Sequence, residues 1–179
     1  MSCNGVTVYE HVFYAFLKLE AGILADEKDK KKFLDFALAF QRDKKISVLA
    51  FVVLDDEIHF LVQSSGKIGT EDTAREMPED WKKYLQKEHF QALDAAQMEY
   101  NCRKIESEKD ILDICRYIHR LPLERGYVKR MRDYWWSSFQ TYRGIYWWTA
   151  VDILPLLKHF SDNTEKGRIL FLRYHRRES

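Results

Sequence analysis

From Val6 to Leu19 the chain is dense in β-branched and aromatic residues, the pattern of a buried or half-buried strand. Asp26 to Asp43 opens with charges and then sets Phe33, Leu34, Ala37, Leu38 and Phe40 at helical spacing, which predicts an amphipathic helix after an acidic start. Val48 to Val62 holds two apolar runs around Asp55-Asp56, whose short side chains tolerate turn geometry, and so reads as a β-hairpin. The polar stretch Ser64 to Thr70 marks a loop, and Pro78 to Ala92, with Trp81, Tyr84, Leu85 and Phe90, predicts a second helix. Gln97 to Ile105 follows as a fourth strand. Ser107, with Asp110 three residues on, starts a third helix that carries Ile111, Leu112, Ile114, Cys115 and Ile118 and that Pro122 is expected to end. Further helices are expected near Thr149 to Phe160 and Asp162 to His175.

The order strand, helix, strand, strand, helix, strand predicts an α+β fold, a ferredoxin-like βαββαβ sandwich with an antiparallel sheet and helices on one face. Residues 1–132 are assigned to this domain and residues 133–179 to a C-terminal helical extension packed on it. Such a fold hosts many functions and decides little about this one.

Composition narrows the classes. With 46% apolar and 15% aromatic residues among 179, the chain has enough material for a core and is not disordered. A 32% charged content and a mean hydropathy of -0.47 exclude a membrane protein, and no apolar run is long enough to span a bilayer. The start, Met1-Ser2-Cys3-Asn4-Gly5, lacks the regions of a signal peptide, so a cytoplasmic protein with reduced thiols is expected. Cys3, Cys102 and Cys115 are odd in number and scattered, which fits neither a disulfide framework nor a zinc motif. The net charge of +1 gives no global bias toward nucleic acid. Its distribution is uneven: Glu106, Glu108, Asp110 and Asp113 are followed by Arg125, Lys129, Arg130 and Arg132, and later by Arg168, Arg173, Arg176 and Arg177. Each basic cluster is either a phosphate-facing surface or a solvated helix face.

Alternation along a strand places Glu57 and His59 on one face, about 7 Å apart, with Ile58, Phe60 and Val62 on the other. A carboxylate and an imidazole so placed form either a metal chelate or an ordinary polar strand face. Tyr117 lies beside the apolar stripe Ile111, Ile114, Ile118 of the third helix, where it is either a rim tyrosine or a group facing the sheet.

A resemblance sharpens both. Tyr117-Ile118-His119-Arg120-Leu121-Pro122-Leu123-Glu124-Arg125-Gly126-Tyr127-Val128, followed by Asp133-Tyr134-Trp135-Trp136-Ser137-Ser138-Phe139, resembles the signature of REP-associated tyrosine transposases, a branch of the single-tyrosine HUH transposases. That family typically reads Tyr-Ile-x-x-Asn-Pro-x-x-x-Gly-x-Val and then Asp-Tyr-x-Trp-Ser-Ser-Tyr. Glu10-His11-Val12-Phe13 resembles its first strand and Val48 to Val62 its metal-binding hairpin, so the likeness spans most of residues 8–145 and is poor between 64 and 95.

The resemblance implies a nuclease and strand-transfer activity on single-stranded or hairpin DNA, with Tyr117 as the nucleophile that forms a 5′-phosphotyrosine link and frees a 3′-hydroxyl. It implies a divalent cation, Mg²⁺ or Mn²⁺, held by Glu57 and His59. Arg116, Arg120, Arg125, Lys129 and Arg130 are the expected phosphate contacts, and Trp135, Trp136, Trp147 and Trp148 are either base-stacking platforms or core. A homodimer and a monomer are both compatible with the family.

Two positions depart from it. Glu57 stands where the family has histidine, which adds negative charge beside the cation, and Leu121 stands where it has asparagine, four residues after Tyr117. His119 falls on nearly the opposite helical face and cannot substitute, whereas Asp113, one turn before Tyr117, could. The departures leave a second reading open, a catalytically impaired relative that binds hairpin DNA or RNA without cleavage. A third is a structural or protein-binding module of the same fold.

Overall fold

The computed structural model describes residues 11–19, 22–44, 46–64, 79–84, 87, 99–145, 148 and 150–176. The expected strand before His11, the loop 65–70, most of the second helix after residue 84, Trp147 and Arg177 lie outside the described residues. Four strands, β1 (Val12–Lys18), β2 (Ile46–Val53), β3 (Glu57–Ser64) and β4 (Glu99–Ile105), form an antiparallel sheet in the order β2-β3-β1-β4. Helix α1 (Glu27–Lys44) connects β1 to β2, and a helical segment α2 (residues 79–84) lies between β3 and β4.

Alternation along the strands gives the sheet two apolar faces, so each needs its own covering layer. Phe13, Ala15 and Leu17 of β1 and Ile58, Phe60 and Val62 of β3 share one cluster with Phe33, Leu34, Ala37 and Phe40 of α1 and Trp81 of α2. Trp81 packs edge-on to Phe33 at 5.4 Å between ring centroids, and Tyr84 stacks on Phe36 at 4.1 Å. The two crossover helices therefore share one face, as the ferredoxin-like reading requires.

Val12, Leu49, Ala50, Val52 and Leu61 point to the opposite face. There they meet Ile111, Ile114, Cys115 and Ile118 of helix α3 (Glu108–Glu124). Ser107 caps α3, its hydroxyl accepting from the Asp110 N–H at 3.0 Å, as the sequence predicts.

Pro122 does not end this helix. The missing proline N–H forfeits a single bond in the last turn, and the helix runs on to Glu124. It stops where Gly126 takes a positive φ of 78°. The Gly126 and Tyr127 N–H groups then reach back to the Leu123 and Pro122 carbonyls at 3.1 and 2.9 Å. This exit sets Arg125 and Tyr127 beside the start of β3.

Beyond α3, a 3-10 turn (Met131–Asp133), α4 (Phe139–Tyr142), α5 (Leu154–Phe160) and α6 (Thr164–Arg176) complete the described chain. They close the β2 edge, which would otherwise invite pairing with another chain. The Val53 N–H donates to the Trp136 carbonyl at 3.0 Å, the Ser138 N–H to that of Phe51 at 3.0 Å and the Asp152 N–H to that of Val48 at 2.8 Å. Among the described residues no helix is long and apolar enough to cross a membrane.

Candidate active site and nucleic-acid interface

The Asp55-Asp56 turn is pinned from several sides. Its backbone carbonyls accept from Leu24 and Leu19 at 2.8 and 2.7 Å, and Lys30 Nζ, itself buried, donates to Asp55 Oδ1 at 2.6 Å. The turn fixes where β3 begins, and so fixes Glu57 and His59. In the register His59 faces Phe16 on β1 and Val52 on β2, which puts it in the middle of the sheet on the α3 side. Glu57 and His59 are 5% and 2% exposed, so neither is a solvated strand residue.

Buried polar groups of this kind must be paired, and these are. His59 Nδ1 lies 2.7 Å from the Tyr14 hydroxyl and Nε2 lies 3.3 Å from Glu57 Oε2. Arg125 Nη2 donates to both Glu57 oxygens, at 2.8 and 3.2 Å. The hydrogen bond from His59 and the charge of Arg125 hold the Glu57 carboxyl below its ordinary value against its burial, so Glu57 is an acceptor only. Burial lowers His59 and keeps its ring neutral, with Glu57 pulling the other way. Nε2 must then donate to Glu57, which leaves Nδ1 to accept from Tyr14.

Tyr117 completes the group. Its ring stands edge-on to His59 with centroids 6.0 Å apart, and it lines one recess together with Tyr14. Burial and the Glu57 charge raise the Tyr117 phenol above its ordinary value, with the Arg125 charge pulling the other way. Tyr117 is nonetheless 41% exposed, so its oxygen is reachable from solvent. A recess of about 550 Å³ opens on it, lined by Tyr14, Arg103, Asp110, Asp113, Ile114 and Tyr117. A second, of about 360 Å³, lies over Glu57 between Asp56, Arg125 and Tyr127. Together these side chains form a line, Tyr117, Tyr14, His59, Glu57, Arg125, with an open surface at each end.

The other residues singled out in the sequence scatter. Leu121 is buried in the core beneath α3. Asp113 is engaged by Lys109 at 2.6 Å and by the Tyr174 hydroxyl, so it is tied to α6 as well as bordering the Tyr117 recess. Arg116 lies over the Tyr174 ring at 5.4 Å. Arg120 and Arg130 are ion-paired to Glu124 and Asp133 at 3.2 and 2.7 Å, and Lys129 is exposed. Trp148 packs on Phe51 in the core, whereas Trp135 is half exposed.

His119 faces away from Tyr117, as its spacing implies, and is wholly buried. Its Nε2 lies 2.7 Å from Ser138 Oγ and its Nδ1 lies 3.0 Å from His175 Nε2, while His175 Nδ1 donates to the Phe171 carbonyl at 3.0 Å. Because that carbonyl can only accept, the remaining protons are assigned in turn: His119 Nδ1 donates to His175, and Ser138 donates to His119. Cys115 Sγ lies 3.8 Å from His119 Nδ1 in the same nest. Hydrogen bonding accounts for both rings, and burial keeps them neutral.

Sequence reasoning missed Tyr14. Its one signal is parity: it shares a strand face with Phe16, the residue that turns out to face His59.

No family model and no curated protein matches the chain. Among solved structures it is similar to a REP-associated tyrosine transposase bound to a REP hairpin, with a TM-score of 0.57 and 21% identity over 86% of this chain and 93% of that one. The chain has that fold. It is also similar to a candidate transposase from Deinococcus radiodurans R1, at a TM-score of 0.37 and 15% identity over 67% of this chain and 97% of that one.

Proposed function

We propose that this protein is a single-tyrosine transposase-like protein that binds hairpin-bearing DNA and cleaves and rejoins a single strand through Tyr117. One observation carries the reading. A solvent-accessible tyrosine on α3 meets the buried Glu57 and His59 of β3, although nothing in local sequence joins them. The shared fold with a transposase bound to a REP hairpin supports hairpin DNA as the partner.

In the proposed step Tyr117 gives up its phenol proton to water, and its oxygen attacks phosphorus and forms a tyrosyl phosphodiester with the 5′ side. The bond to the 3′-oxygen breaks, and that oxygen takes a proton from water. The donor set fits a divalent cation such as Mg²⁺ or Mn²⁺: a carboxylate oxygen and an imidazole nitrogen 3.3 Å apart match the span of adjacent ligands on one small ion. Glu57 and His59 would hold it, and when bound it would polarise the scissile phosphate. Were such a cation held there, His59 would carry its ring proton on Nδ1 and offer it to the Tyr14 oxygen. Tyr14 would then be free to turn its own proton toward the Tyr117 oxygen and stabilise its anionic form.

The contact of Arg125 Nη2 with both Glu57 oxygens favours a second reading, because it already neutralises the carboxylate a cation would use. In that case the protein binds hairpin DNA or RNA and does not cut. The test is incubation of wild type and Tyr117→Phe with single-stranded DNA bearing a hairpin in Mn²⁺, followed by denaturing electrophoresis. The proposal expects a covalent 5′ adduct with wild type and none with Tyr117→Phe. Equal cleavage by both would refute the nucleophile, and binding by both with no adduct would establish the second reading.

A further inference from the structure

On the far side of α3 from the sheet, a cavity of about 640 Å³ gathers Arg120, Arg130, Arg132, Arg143 and Arg176, and no carboxylate lines it. These arginines come from separate elements: α3, the 3-10 turn and its N-terminal flank, the end of α4 and the last turn of α6. A stripe of arginines along one helix would be an ordinary solvated face. Convergence from distant parts of the chain is different, since the fold holds like charges around one space at a repulsive cost.

The arrangement is also built from beneath. Gln140 is fully buried, and its Nε2 donates to the Arg132 and Tyr134 carbonyls at 3.0 and 2.7 Å. Its Oε1 accepts from Arg143 Nη1 at 2.8 Å. One buried amide thus holds the backbone that carries Arg132 and aims the Arg143 guanidinium. Glu124 and Asp133 do not line the cavity; Glu124 pairs with Arg120, and Asp133 with Arg130 and, at 3.9 Å, with Arg132, which leaves Arg143 and Arg176 without a carboxylate in the lining.

Planar guanidinium groups converging on one space match the oxygens of phosphate, which they bind in pairs. We infer that this cavity is a second anchor for the nucleic-acid backbone, binding phosphates that flank the one presented to Tyr117. Arg120 lies one helical turn beyond Tyr117, so a strand leaving the tyrosine reaches the cavity within a few nucleotides. The inference rests on the nucleic-acid reading above and deepens it by naming where the strand is held. Arg120 and Arg130 were expected phosphate contacts from the sequence. The fold gathers with them Arg132 and Arg176, from the two basic clusters of the sequence, adds Arg143, and pairs Arg125 with Glu57.

The test uses the full chain carrying Tyr117→Phe, so that binding is measured without cleavage, and a fluorescent hairpin-bearing DNA followed by anisotropy between about 50 and 200 mM salt. The double variant Arg132→Gln, Arg176→Gln removes two exposed guanidinium groups and leaves the Gln140 bonds in place. Each lost phosphate contact should flatten the slope of log affinity against log salt by about 0.7–0.9, so the variant should be shallower by about 1.5 and at least roughly tenfold weaker at the upper salt. Lys158→Gln with Arg173→Gln, which removes basic residues that do not line the cavity, should leave the slope unchanged. Binding by the parent with the same slope in the cavity variant would overturn the cavity and spare the wider reading. A parent with no salt-dependent binding would sink both.

Discussion

Both faces of the sheet are buried under apolar layers, but among the described residues only the α3 face also carries buried polar groups. Under α1 and α2 the contacts are aromatic and aliphatic: Phe33, Phe60 and Trp81 interlock, with Phe51 stacked on Phe60 at 5.5 Å. Under α3 the same sheet carries Tyr14, Glu57 and His59 near one end, and its β2 edge joins the Ser138, His119, His175 chain. An apolar face gains free energy in proportion to the area it hides, and tolerates no vacancy. A polar face must find a partner for each donor and acceptor, and so specifies geometry at the expense of stability. Strand pairing and the apolar packing on both faces hold the register, and that register sets where the polar groups meet.

That contrast can be broken from either side. The largest effect is expected from Trp81→Ala, which empties the centre of the apolar face. A loss of about 3–5 kcal/mol should appear as a lowered urea midpoint, and the Tyr117 site should fail only because the fold does. A loss of activity at unchanged stability would contradict the division of labour.

On the polar side, pH is the sharper tool. Burial pulls His175 down to about 4 and His119 well below its ordinary value. An unfolded imidazole titrates near 6.5, so the unfolded chain takes up protons first. The stability these rings contribute is fully present above that value and falls away between about pH 6.5 and 4. For His175 alone the fall amounts to about 2–3 kcal/mol. Urea midpoints measured across that range should decline, and His175→Gln should be weaker at pH 7 yet flatter below it. A wild-type profile level from pH 7 to 5 would show that the rings are not held neutral.

The smallest structural change with a functional readout is Tyr14→Phe. Losing one hydroxyl should cost about 1 kcal/mol of stability, because His59 Nδ1 loses its partner. Adduct formation should slow roughly 100- to 1,000-fold, as expected when one donor to a developing oxyanion is removed. An unchanged adduct rate would take Tyr14 out of the mechanism.

Much of this was readable along the chain. Strand parity alone put Glu57 and His59 on one side of β3, and the Ser107 cap and the apolar stripe of α3 were correctly placed. Pro122 was misread because a proline one turn from a helix end removes only a bond that the end is about to lose, and the true stop is the positive φ of Gly126. Arg125 was assigned to phosphates by its charge. Its reach to Glu57 depends on how α3 exits over β3, which no local pattern encodes. Trp135 and Trp136 are neighbours in sequence, yet the first is half exposed while the carbonyl of the second ties down the β2 edge.

What the sequence determined by itself is local: periods of two and 3.6 residues, caps, turns and the spacing of a motif, all set by sterics and hydrogen bonding between near neighbours. What only the tertiary structure decided is convergence. Tyr14 at His59, Tyr117 over both, Arg125 on Glu57, and five arginines around one cavity bring together residues far apart in the chain. Those meetings are fixed by strand register and helix docking, whose energy lies in the shared core and not in the residues that meet.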